Sequence, residues 1–177
     1  RGSGADGWGL DVTALDVTLD GVTIEDAPEV GLRLTGGLTE ASRDLTITGS
    51  GGFPIRALVD VTADIPESGA ALTGNALDYV EVFGNEMRVG GTWGDLGVPY
   101  FIDRQLRVTG AVDPEGLPIP ARLIVEPGTE LHFGWIAALR TEGLSTDGGF
   151  DHGHVHLLGT AEAPVVLDQY VPDDDSG

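Results

Sequence analysis

Val22-Thr23-Ile24, a turn and Gly31-Leu32-Arg33-Leu34 are followed 23 residues later by Leu45-Thr46-Ile47, a turn and Pro54-Ile55-Arg56-Ala57. In both copies apolar and polar residues alternate, which sets every second side chain on one face of a β-strand. The spacing continues beyond this pair: Ile102 to Val125 is again 23 residues, Ile55 to Val80 is 25 and Val80 to Ile102 is 22. A unit of that length holds two or three strands of three to five residues and cannot bury its inward face alone, so successive units must stack. The period therefore predicts an all-β chain wound as a parallel β-helix, a solenoid of about seven coils. At ~4.8 Å per layer that is a rod on the order of 35 Å long.

Working outward, short aliphatic and β-branched runs recur from Val17 to Leu167, among them Ile55 to Val59, Tyr79 to Phe83, Leu123 to Val125, Leu131 to Phe133 and Val155 to Leu157. Gly, Asp, Asn and Pro clusters such as Gly49-Ser50-Gly51-Gly52 and Glu126-Pro127-Gly128 separate them and supply turn conformations. The alternation assigns Leu32, Leu34, Ile47, Ile55, Val80, Leu123, Leu131, Phe133, Val155 and Leu157 inward. It assigns Thr23, Arg33, Arg56, Glu81, Arg122, Glu130, His132, His154 and His156 outward. Trp135 to Arg140 is the best helical candidate and is too short to stand alone. Asn75 is expected in a turn, its amide bonded to the next coil. The three Trp residues, Trp8, Trp93 and Trp135, are expected in core or coil-edge packing. The alternative architecture, an antiparallel β-sandwich of short strands, shares the Gly-rich turns and the lack of helix, but near-constant spacing favours coils. The expected organisation is a lead-in or cap over residues 1–16, the β-helix over 17–168 and an acidic tail over 169–177 that contains Asp173-Asp174-Asp175.

Composition bounds the function. Among 177 residues there are 28 Gly and 10 Pro, and the 41% of hydrophobic residues exceeds what a disordered chain carries. No apolar run approaches the ~20 residues that cross a bilayer, and Arg1 to Gly9 is neither a signal core nor an amphipathic anchor, so no membrane insertion is expected. With 29 acidic residues against nine basic ones, all Arg, the net charge of −20 repels polyanions and argues against nucleic acid as a partner. The absence of Cys excludes disulfides and zinc-thiolate sites. No Lys exists to complete a Walker motif, and no Gly-x-Ser-x-Gly elbow or RTX calcium nonapeptide is present.

Trp93-Gly94-Asp95-Leu96-Gly97-Val98-Pro99-Tyr100, the run Pro120 to Gly134 with its Glu126-Pro127-Gly128-Thr129, and Gly159-Thr160-Ala161-Glu162-Ala163-Pro164-Val165-Val166-Leu167 carry a resemblance. The chain resembles the right-handed parallel β-helix repeats of secreted or surface-anchored bacterial proteins, within the pectate-lyase-like superfamily fold. Gly51 to Arg56 and Thr73 to Val82 look like the upstream partner, so the likeness covers residues 17–168. It implies right-handed coils, an extracellular or cell-surface location, and a structural or interaction module whose partners are a protein or a glycan. Its motif is specific for the repeat and not for an activity. The wider class also contains polysaccharide lyases and hydrolases, which gives the alternative of a carbohydrate-active enzyme with a site on the outer face. One departure from the pattern is the longer excursion from Gly134 to Gly153.

Three of the four His fall in one dense cluster, Asp147-Gly-Gly-Phe-Asp151-His152-Gly-His154-Val-His156. His154 and His156 are two apart on a strand, hence on one face, from which two imidazoles can converge on a divalent cation such as zinc. His132, Asp151 or Asp147 is the candidate third ligand. Outward His alternation equally needs no ligand, and no catalytic residue or organic cofactor is assigned. Arg33, Arg56 and Arg107 can line up as a basic column, and pairing with carboxylates is the expectation. Arg1-Gly2-Ser3-Gly4 reads as an internal cut, so the chain is expected to be a segment of a larger protein whose open coil edges invite end-to-end self-association.

Overall fold

The computed structural model describes residues 7–170 other than 116, 142, 147 and 148, and only the backbone of 118, 143–146 and 149–152. The chain is all-β. Its largest sheet among the described residues has seven strands in chain order: Trp8–Val12, Val30–Leu34, Ile55–Leu58, Val80–Phe83, Tyr100–Ile102, Glu130–Phe133 and Val166–Gln169. Every adjacent pair is parallel. Three smaller parallel sheets accompany it. Thr23–Glu25 pairs with Thr46–Thr48, Leu106–Val108 lies between Glu86–Met87 and Leu139–Thr141, and Arg122–Val125 lies between Gly91–Trp93 and His154–Leu157. Antiparallel pairing among the described residues joins Ala111–Val112 to Pro118–Ile119 and Gly143–Thr146 to Gly149–His152. A parallel principal sheet is not the architecture of an antiparallel sandwich. Among the described residues no helix is long and apolar enough to cross a membrane.

The overlay read from the sequence is the observed register: Thr23 faces Thr46, Ile24 faces Ile47, Leu32 faces Ile55 and Arg33 faces Arg56. Alternation sends Leu32, Leu34, Ile55, Ala57, Val80, Val82, Tyr100, Ile102 and Leu131 into one contiguous core. There they meet Leu45, Ile47, Leu72, Met87, Trp93, Leu106, Leu123 and Val125. Two corners repeat with the strands. Gly21, Asp44 and Gly69 precede one short segment in three successive passes with φ of 64°, 52° and 70°, and Asp26, Gly49 and Gly74 follow it with φ of 53°, 71° and 88°. Each corner bonds to the next pass, as in Asp44 N–H to Ser68 O at 2.9 Å and Gly49 N–H to Gly74 O at 3.0 Å. These left-handed positions select Gly, or Asp whose short side chain tolerates them. Asn75 follows Gly74 at such a corner: its Oδ1 accepts from Ser50 N–H at 3.0 Å and its Nδ2 donates to Ile47 O at 3.2 Å, so the amide binds its pass to the preceding one and not to the next.

Several expectations change. Ile102 does not lie over Val125: Ile102 faces Phe133 in the large sheet, and Val125 faces Trp93 in another. The strand Leu106–Val108 and the hairpin Ala111–Val112/Pro118–Ile119 lengthen this pass, so equal spacing in sequence no longer means equal position. Val80 faces Tyr100, which moves Ile102 to Val82. Trp135 to Arg140 forms no helix, because Leu139–Thr141 takes its backbone partners from Leu106–Val108. The strand at Ile55 ends at Leu58, and Val59–Asp64 turns as a 3-10 helix. Leu157 is 44% exposed rather than inward and Trp135 is 88% exposed rather than packed, whereas Trp93 is fully buried. Strand pairing begins before residue 17, since Trp8–Val12 is already the first strand of the large sheet.

Candidate functional site

Because side chains alternate, the outer face of the large sheet carries one in-register row: Asp11, Arg33, Arg56, Glu81, Phe101, His132 and Asp168. The row divides into a charged half and an aromatic half. In the charged half Arg33 and Arg56 are strand neighbours of like charge, and each turns to an opposite one. Arg33 pairs with Asp11 at 3.0 Å, and Arg56 Nε lies 3.0 Å from Glu81 Oε2, off the N–H direction. Their planes also cover rings, Arg33 5.3 Å from the Trp8 centroid and Arg56 5.1 Å from that of Phe83. On a different sheet Arg107 pairs with Glu86 at 2.5 Å. The three arginines thus meet carboxylates, as their charge dictates, and form no free basic column.

Beside Glu81 opens a cleft of about 370 Å³ lined in part by Arg56, Asn85, Asp103 and Arg104. Burial holds the Glu81 carboxyl above its ordinary pKa; Arg56 pulls it down and Asp103 pushes it further up. One carboxyl that keeps its proton more readily and a second in the same cleft are groups from which acid–base chemistry can be built. A second cleft, about 460 Å³, is lined by Glu40, Asp64 and Glu67 among others. Burial raises both Asp64 and Glu67; the Leu38 backbone N–H opposes the shift at Asp64, while Glu126 and Asp95 add to it at Glu67. The buried Tyr100 is raised as well, by burial first and by Glu67, Asp95 and Glu126 after it, and its hydroxyl donates to Gly94 O at 3.0 Å.

In the aromatic half Phe53, Tyr79, Phe101 and Tyr170 converge. Phe101 lies 6.1 Å from Phe53, 6.2 Å from Tyr79 and 5.1 Å from Tyr170 between ring centroids, and Tyr79 lies 5.7 Å from Tyr170. With Leu77 they line a cavity of about 130 Å³. Period counting misses this group. Phe53 and Tyr79 stand just before their strands, Phe101 within one and Tyr170 just after one, so the rings share no repeat position and meet only through the reach of their side chains.

The candidate metal ligands fall on two sheets. His154 and His156 lie on one strand with ring centroids 6.4 Å apart, both exposed, and His154 is the register partner of Arg122. His132 belongs to the large sheet, its ring 5.4 Å from Tyr79 and its Nε2 3.4 Å from Glu130. Asp147 and the side chain of Asp151 lie outside the described residues, as does Asp173-Asp174-Asp175. Among the described residues no three His, Asp or Glu form a group suited to hold an ion. Comparison with protein-family models, with curated proteins and with solved structures returned no match.

Proposed function

We propose that the chain is a right-handed parallel β-helix of about seven coils. In this reading it is a non-enzymatic structural and interaction module of a secreted or surface-attached bacterial protein of pectate-lyase-like fold. The outer face of its seven-stranded sheet meets a protein or glycan outside the cell. What carries this reading is the in-register outer row from Asp11 to Asp168, six strand steps of ~4.8 Å or about 29 Å of continuous surface, set on a core whose central members are fully buried. A rigid row of ion pairs and rings of that length suits recognition of an extended partner. The module is tested by retention of soluble polysaccharides and surface proteins on the immobilised chain, with reducing-end and unsaturated-product assays run on the same samples. Retention without product supports it.

The cleft containing Glu81, Asp103, Arg56 and Arg104 favours a second reading, a polysaccharide lyase or hydrolase with its site on that face. Product release from acidic polysaccharides, with or without calcium, that disappears in Glu81→Gln establishes this alternative and displaces the module. End-to-end association of copies through the outer strands Trp8–Val12 and Val166–Gln169 belongs to the same proposal. A strictly monomeric mass at high concentration in light scattering removes it.

A further inference from the structure

The aromatic cavity has a chemistry of its own. Of the chain's five Phe and three Tyr, two Phe and two Tyr meet here on the outer side of the sheet. Rings gathered at a surface forgo burial in the core, where they contribute most. The walls are four rings and Leu77, so the only polar side-chain atoms that the lining residues bring are two tyrosine hydroxyls. A sugar needs several convergent donors and acceptors for its hydroxyls, and a primary ammonium needs acceptors for three N–H bonds. A quaternary ammonium needs none: its charge is spread over methyl groups that present no donor, and ring faces attract it electrostatically.

Size and charge agree. A cavity of ~150 Å³ takes a benzene-sized guest, and about 130 Å³ accommodates a trimethylammonium group. Phe53 stacks on Phe101 with 16° between their planes, while Phe101 is inclined 62° to Tyr79 and 68° to Tyr170 and the two tyrosines stand at 85° to each other, so the stacked phenylalanines and the two tyrosines give walls in three directions. The chain's charge of −20 draws cations. Carboxylates also stand near the rings: Asp78 precedes Tyr79, and Asp168 is the register partner of His132, which neighbours Phe101. Arg56, the nearest guanidinium on the row, is occupied by Glu81.

We infer that the cavity formed by Phe53, Leu77, Tyr79, Phe101 and Tyr170 binds a choline-type quaternary ammonium cation by its trimethylammonium group. The inference rests on the module reading in one respect, that the ligand is held and not consumed. Phosphocholine is the poorer ligand, because its phosphate enters a strongly negative field.

Calorimetric and proton-NMR titration of the intact chain tests this with choline, phosphocholine, the neutral isostere 3,3-dimethylbutan-1-ol and glucose. Choline is expected to saturate and to exceed the isostere by about tenfold in affinity, with phosphocholine weaker than choline. Phe101→Leu keeps an apolar wall and removes a ring face. It is expected to lose about tenfold for choline and little for the isostere, and Phe53→Leu serves in its place should the first variant fail to fold. Equal binding of choline and isostere, saturation by glucose but not choline, or no saturation by choline overturns the inference and leaves the module standing. Choline that binds and is chemically altered in the NMR tube overturns the module while the cavity assignment survives.

Discussion

Asn75 is where one side chain ties two passes of the chain together, and its removal has a calculable effect. Its Oδ1 accepts from Ser50 N–H at 3.0 Å, and its Nδ2 donates to Leu72 O at 2.9 Å, Ile47 O at 3.2 Å and Asp78 Oδ1 at 3.3 Å. Ser50 is 2% exposed, so Asn75→Ala leaves its N–H away from water. An orphaned buried donor costs about 1–3 kcal/mol and each further lost neutral bond about 0.5–1.5 kcal/mol. With Asn75 itself half-buried, a total of about 2–4 kcal/mol is expected. With a urea slope of about 2 kcal/mol/M, the midpoint falls by about 1–2 M. Asn75→Asp sharpens the test. The acceptor toward Ser50 survives, but the other oxygen now faces two carbonyls and the Asp78 carboxylate, which favour the protonated form. Its folded pKa is therefore raised above the unfolded value of about 3.9. A carboxyl so shifted destabilises progressively as pH rises from the unfolded pKa through the folded one. The gap between variant and wild type is thus small near pH 3 and largest at pH 7. Urea midpoints at both pH values decide the matter: an Asn75→Asp gap that does not change with pH, or an Asn75→Ala loss below about 0.5 kcal/mol, would refute the bridging role.

Gly31 lies inside the strand Val30–Leu34, where an added Cβ would overlap Ile47 Cγ2 and stand 2.7 Å from Pro54 O, so Gly31→Ala is expected to cost about 1–3 kcal/mol in urea unfolding. An unchanged midpoint contradicts that packing. Asp64, Glu67 and Glu81 are all raised by burial, so each binds protons more tightly folded than unfolded. Their contribution to stability is greatest below the ordinary carboxylate range and declines as pH rises above it through the raised values. Glu81→Gln should flatten that decline in thermal midpoints taken between pH 4 and pH 7, and an unaltered slope counts against the burial of Glu81. Trp135 is 88% exposed, Trp8 half-buried and Trp93 fully buried, so iodide should quench the Trp135 emission most readily, and Trp135→Phe should lower the readily quenched part to what Trp8 contributes. An accessible fraction unchanged in the variant contradicts the exposure of Trp135.

The early passes were legible because nothing interrupts them: from Val22 to Ala57 alternation and a constant step place Ile24 over Ile47 and Leu32 over Ile55. The same rule fails at Ile102, since the inserted hairpin around Ala111–Ile119 changes the length of the pass without changing the character of its strands. The hairpin Gly143–Thr146/Gly149–His152 has its local sign in Asp147-Gly148 between alternating residues, a tight-turn cue that weighing coils against a sandwich overlooked. Likewise the exposure of Leu157 and Trp135 depends on whether another layer covers them, which no local pattern encodes.

Sequence alone determined that this chain is built of short strands, which early residues lie over one another, that its outer arginines meet acids, and that Asn75 closes a corner, because periodicity, opposite charge and turn chemistry act over short or regular distances. Only the tertiary structure decided that Phe53, Tyr79, Phe101 and Tyr170 share a cavity, that Glu81 and Asp103 line one cleft and that His132 lies on a different sheet from His154 and His156. Those relations join residues at unequal positions in different passes, and the lateral convergence of side chains across a sheet is fixed by packing in three dimensions, which a one-dimensional period does not contain.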